Sequence, residues 1–184
     1  MKKNFLLATA IAMLAMAFTV SAQKAAADFS GKWNLDLAKS KLSDREKTSI
    51  ESQTITVTQT AADIKIETET KRIAPPAGGP PTGGPPGGGG GRMGGGGGAG
   101  GPQTFPLGKE VTTDQTMGQN TVPVTMGSKW DGSKLVTTRS STNGEMKNST
   151  KQTFELGADG KSLTVTVESS GMQTTTSTRV YTKG

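Results

Sequence analysis

The chain reads as an all-β protein: an antiparallel up-and-down meander of about 8–10 strands, closed as a barrel or, alternatively, stacked as a β-sandwich. Three observations predict this. Beyond the first two dozen residues, apolar side chains recur with period two in short runs rich in Thr, Val and Ile, the pattern of half-buried strands. Dipeptides suited to tight hairpins separate the later runs. Carrying strand faces across those turns puts apolar residues beside apolar residues, which a wrong register would not do.

The N-terminus is different. Lys2 and Lys3 precede an apolar run from Phe5 to Val20, interrupted by Thr9 and Thr19, and Val20-Ser21-Ala22 supplies the small residue before a cleavage point. Residues 1–22 are therefore expected to be a secretory signal, with a secreted or periplasmic product starting at Gln23. The apolar run falls short of the roughly 20 residues that cross a bilayer. No second such run follows, so the mature protein is not expected to be an integral membrane protein. Residues 23–184 then form one β domain.

The first strand carries Trp33, Leu35 and Leu37, with a short helical turn expected at Ala38–Leu42. Ile55 and Val57 mark the second, and Ile64 and Ile66 the third. From Ile73 to Pro106 the text is nearly all Gly and Pro. Such a tract buries too little to offset its ordering entropy, so a disordered insertion is expected at about residues 74–104. Beyond it lie runs at Phe105–Thr116, Thr121–Trp130, Leu135–Thr142, Glu145–Leu156, Leu163–Ser169 and Met172–Thr182. Two-residue hairpins are expected at Asp131-Gly132, Asn143-Gly144, Gly118-Gln119 and Ser170-Gly171, and a longer turn at Ala158–Lys161.

These turns assign one inner face. Trp130, Met126, Val124 and Val122 lie with Leu135, Thr137 and Arg139, then with Asn148, Thr150, Gln152, Phe154 and Leu156. Leu163, Val165 and Val167 lie with Thr174, Thr176, Thr178 and Val180. One end is apolar and the other polar. Trp33, Trp130, Phe154 and Val180 are expected to plug the first. Arg139, Asn148, Thr150, Thr174 and Thr176 are expected to line a mouth at the second, where Arg139 would meet an anionic or carboxylate-bearing ligand.

Composition excludes more than it proposes. With His 0 and Cys 0, the usual general base, metal ligand and thiol nucleophile are missing, and no enzyme, cofactor or metal site is expected. Removing Lys2 and Lys3 from 21 basic residues leaves 19 against 15 acidic, a scattered charge of +4 that does not make a nucleic-acid site. Hydrophobic content of 31% allows only a small core.

Phe29-Ser30-Gly31-Lys32-Trp33-Asn34-Leu35 sets Gly-x-Trp at the start of the first strand. This resembles the lipocalin-like (calycin-type) barrels, where that Trp packs at the closed end. The string through Leu37-Ala38-Lys39-Ser40-Lys41 also resembles a group of small secreted bacterial proteins without an assigned activity. The resemblance implies a basic residue on the last strand packed across Trp33. Arg179 stands near that place, although the register above points it away from the Val180 face. The expected role is binding of a small molecule or lipid outside the cytoplasm; the alternative is a structural or interaction protein of the cell envelope with a filled barrel.

Overall fold

The computed structural model describes residues 27–73, 101–117 and 120–184. The expected signal segment and nearly all of the expected insertion lie outside these residues. Ten strands are present among them: β1 (Gly31–Lys41), β2 (Ile50–Gln59), β3 (Asp63–Arg72), β4 (Gln103–Pro106), β5 (Glu110–Met117), β6 (Asn120–Asp131), β7 (Lys134–Asn143), β8 (Met146–Leu156), β9 (Ser162–Ser170) and β10 (Thr175–Lys183). One short helix, α1 (Asp44–Ser49), joins β1 to β2. No helix among the described residues is long and apolar enough to cross a membrane.

All strands belong to one antiparallel sheet in the order β4-β3-β2-β1-β10-β9-β8-β7-β6-β5. Its two edges, β4 and β5, are consecutive in the chain, and that closes the barrel. The backbone leaves β3 after Pro106 and crosses to β6. Leu107 bridges to Ser128, the Gly108 N–H donates to the Ser128 carbonyl at 2.7 Å, and the buried Ser128 hydroxyl lies 3.2 and 3.1 Å from the carbonyls of Phe105 and Pro106. A sheet closed on itself has no second layer, so the sandwich alternative is excluded. The run expected as one strand from Phe105 is thus broken in two, and β4 already begins at Gln103, inside the segment assigned to the insertion.

Alternation fills the interior. Trp33 pairs with Ile55, Val57 with Ile66, Leu135 with Phe154, and Leu163 with Tyr181. These side chains, with Phe29, Ile64, Phe105, Val165 and Val167, form one buried cluster.

Met117 pairs with Asn120 across the expected Gly118-Gln119 turn, whose own two residues lie outside those described, but two other hairpins fall one residue later than expected. Asp131 pairs with Lys134 and Asn143 with Met146, so the turns are Gly132-Ser133 and Gly144-Glu145. Gly132 and Gly144 take φ +61, and Gly at the first turn position spares Asp131 and Asn143 a left-handed backbone. At β7–β8 the slide is two residues, Thr142 facing Lys147 instead of Glu145. A two-residue slide leaves the faces unchanged.

At β9–β10 the face does change. Instead of a tight Ser170-Gly171 turn, residues 171–174 bridge the strands, and Val167, Val165 and Leu163 face Ser177, Arg179 and Tyr181. This corrects the expected inner face of β10. Val180 and Thr176 point outward, and Thr174 lies in the exposed connection. Burying Tyr181, with its hydroxyl bonded to Gln53 at 2.8 Å, outweighs burying Val180.

The helix is also displaced. β1 continues through the expected turn at Ala38–Leu42 with an irregularity, where Ser40 donates to the Asp36 carbonyl (2.6 Å) and accepts from the Val180 N–H (2.9 Å). Helix α1 starts beyond it, at a capping box formed by Ser43 and Glu46.

Candidate functional site

The closed end is built around Trp33, which is fully buried and donates its indole N–H to the Phe29 carbonyl at 2.9 Å. Phe29 stacks on Trp130 (centroids 5.9 Å, 21° between planes) and meets Phe154 edge-on at 6.2 Å. Of the four residues expected to plug this end, Trp33, Trp130 and Phe154 are there. Tyr181 takes the position expected for Val180. The basic group over Trp33 is Lys183, with Nζ 5.4 Å from the ring centroid, rather than Arg179.

Above the plug lies a polar layer that spacing alone did not suggest. Arg179 is 7% exposed and donates from Nη2 to Glu46 Oε1 at 2.9 Å. The Tyr181 hydroxyl donates to Gln53 Oε1, and Gln53 Nε2 donates to Thr70 at 2.9 Å. Burial pushes the Tyr181 hydroxyl above its usual range, against the nearby Arg179 charge, so it stays a protonated donor. Burial would raise Glu46, but hydrogen bonds from the Ser43 hydroxyl and N–H and from Arg179 hold its carboxyl below the usual value. Arg179, Tyr181, Gln152, Thr68 and apolar neighbours enclose a cavity of about 20 Å³. That is room for about one water molecule.

Beyond this layer the inner face turns polar and opens to solvent. Thr68 and Thr70 of β3 share the inner face with Ile55 and Gln53, yet are exposed. Arg139 sits between Met126 of β6 and Thr150 of β8, half-buried. Its Nη2 donates to Gln115 Oε1 on β5 at 3.2 Å. Burial lowers its pKa, and no ion pair reaches it among the described residues.

The structure therefore brings three of the expected mouth residues together. Arg139 and Thr150 are cross-strand neighbours, and Asn148 follows at the rim, where its side-chain oxygen lies against Gly171. Thr174 and Thr176 do not join them, because the β10 register turns Thr176 outward and leaves Thr174 in the connection. Glu46, Gln53, Gln115, Arg179 and Tyr181 were missed. The Ser43-x-x-Glu46 spacing announced the helix cap; nothing local announced its contact with Arg179. Among the described residues no group of acidic side chains could hold a metal ion.

Fold and geometry together define a single-sheet up-and-down β-barrel, plugged by aromatics at one end and polar at the other. Three solved structures share its course to a limited extent. An abundant heat soluble (SAHS) protein from Ramazzottius varieornatus has 11% identity, covering 85% of this chain and 95% of that chain, with a TM-score of 0.49. Secretory abundant heat soluble protein 4 from the same organism has 15% identity, coverage of 84% and 94%, and a TM-score of 0.48. A mutant of the fluorescent protein UnaG has 16% identity, coverage of 85% and 96%, and a TM-score of 0.45. No protein-family model matches the chain, and no curated protein sequence matches it.

Proposed function

We propose that this chain is an exported, non-catalytic barrel that holds a small polar anion at its open end. The observation that carries the reading is Arg139. It is a half-buried, inward-facing guanidinium whose polar partner is the neutral amide of Gln115. Partial desolvation strengthens its attraction for a carboxylate or phosphate, and its fork suits two-point binding. Thr150 and Asn148 beside it offer hydroxyl and amide contacts. A long-chain lipid fits this barrel poorly, because aromatic and aliphatic side chains pack the interior below the polar layer.

That same filled interior favours the second reading, an interaction protein whose outer surface does the work. Calorimetric titration with a panel of small carboxylates and phosphates, repeated on Arg139→Gln, separates the two. Saturable binding that disappears in the variant supports the anion site. Binding to none of the panel, or binding unchanged in the variant, overturns it in favour of the filled barrel.

A further inference from the structure

We propose that a cleft on the outside of the closed end binds a neutral sugar, with the Trp130 indole as its platform and the Asp28 carboxylate as its hydroxyl acceptor. The cleft has a volume of about 420 Å³ and is lined by Asp28, Ser30, Gln59, Thr60, Leu107 and Trp130 among others. That lies within the range of small-molecule sites and suits a mono- or disaccharide. It is at the opposite end of the barrel from Arg139 and independent of that site.

Trp130 is the first argument. One side of its ring is committed to Phe29, which is itself braced by Phe154. The indole is thus fixed in place and cannot swing in to fill the cleft it lines. It remains partly exposed, and no hydrogen bond engages its N–H among the described residues. A rigid, partly exposed indole offers an apolar surface for sugar C–H groups and one donor at the edge.

The polar wall is equally fixed. Gln59 is held at both ends of its amide, accepting from the Phe29 N–H and donating to the Ala27 carbonyl, each at 3.1 Å. The Gln59 N–H donates to the Ser30 hydroxyl at 3.3 Å. The Thr60 hydroxyl is spent within its own turn against Asp63, so it shapes the wall. Asp28 accepts from the Ser30 N–H at 2.9 Å. Hydrogen bonds from the Ser30 backbone and side chain keep its carboxyl below the usual range, with a smaller contribution from the Lys183 charge. It is an ionised acceptor, and little ordering is left for a ligand to impose.

Charge selects the ligand class. Among the described residues Asp28 is the one charged group lining the cleft, and its charge disfavours an anion. A small cation gains little, because Lys183 already supplies counter-charge to Asp28. A neutral polyol needs what is present: an aromatic face, an N–H donor and a carboxylate that can accept from two hydroxyls.

The chain has 2 tryptophans, and Trp33 is sealed inside with its N–H occupied. The two indole N–H signals in a 15N-correlated NMR spectrum therefore form a probe and an internal reference. Glucose, N-acetylglucosamine, maltose and cellobiose are titrated to tens of millimolar, with tetramethylammonium and acetate as counter-probes. The expected result is a saturable shift of the Trp130 signal with one or more sugars and a still Trp33 signal. Asp28→Ala should weaken the affinity roughly tenfold, and Arg139→Gln should leave it unchanged. Trp33 dispersion reports whether each variant is folded. Sugars that leave Trp130 unmoved, equal movement of both indoles, or a response to tetramethylammonium alone would each overturn the proposal.

Discussion

Glu46 and Arg179, 133 positions apart, are joined at 2.9 Å by an ion pair that ties helix α1 to the last strand. The same carboxylate accepts from the Ser43 N–H (3.0 Å) and hydroxyl (2.8 Å). One group thus caps the helix and neutralises a buried guanidinium.

Replacing Glu46 with Gln should separate those two tasks. Gln preserves the capping box but leaves Arg179 without this countercharge. A loss of about 1–3 kcal/mol in urea unfolding is expected, below the cost of a fully buried pair because Glu46 is partly exposed. The folded-state pKa is depressed. The contribution is therefore complete above the unfolded value near 4.5 and lost as the pH falls through the folded value. The wild type should lose stability in that acid window more steeply than Glu46→Gln; parallel curves would disprove the linkage.

Tyr181→Phe keeps the aromatic filling and removes one donor. Gln53 Oε1 then loses its buried partner, at a cost of about 1–2 kcal/mol. An unchanged melting temperature would mean that water replaces the hydroxyl.

Gly127 is where β5 lies against β6. A Cβ there would come 2.7 Å from the Lys109 carbonyl and 2.9 Å from Glu110 Cγ. Gly127→Ala should force these strands apart and cost about 1–3 kcal/mol, with amide exchange rising first in Glu110–Thr113. Uniform loosening across the barrel would contradict a local clash.

Arg139→Gln should be close to neutral for folding, within about 0.5 kcal/mol, since no ion pair is broken. A loss above roughly 2 kcal/mol would make Arg139 a structural residue and remove it from the binding argument.

Much of this architecture was legible because a meander repeats a local rule. From Leu135 the alternation reaches Arg139, and from Phe154 it reaches Thr150, whatever the exact turn. A slide of two residues at Gly144 did no harm to the faces. The β9–β10 pairing is shifted by three residues, Ser169 facing Thr175 where a two-residue turn would set it against Met172, and that odd slip hid Arg179 and Tyr181. No residue near Gly171 declares the loop length; the deciding contacts, from Tyr181 to Gln53 and from Arg179 to Glu46, come from distant strands. Gln115 was within reach of the same local rule, since the β5–β6 hairpin pairs it with Val122 on the inner face of β6, the strand beside Arg139.

The pairing of the first strand with the last has a kinetic consequence. Every other hairpin can form from neighbours in sequence, but β1 and β10 meet across some 140 positions, as at Ser40 and Val180. Loop closure of that length comes late and slows folding relative to local pairings. Until it happens the chain is an open sheet with two bare edges, and Trp33 lacks the Tyr181 and Lys183 strand beside it. A chain truncated before Thr175 should accordingly be an aggregating sheet rather than a smaller barrel.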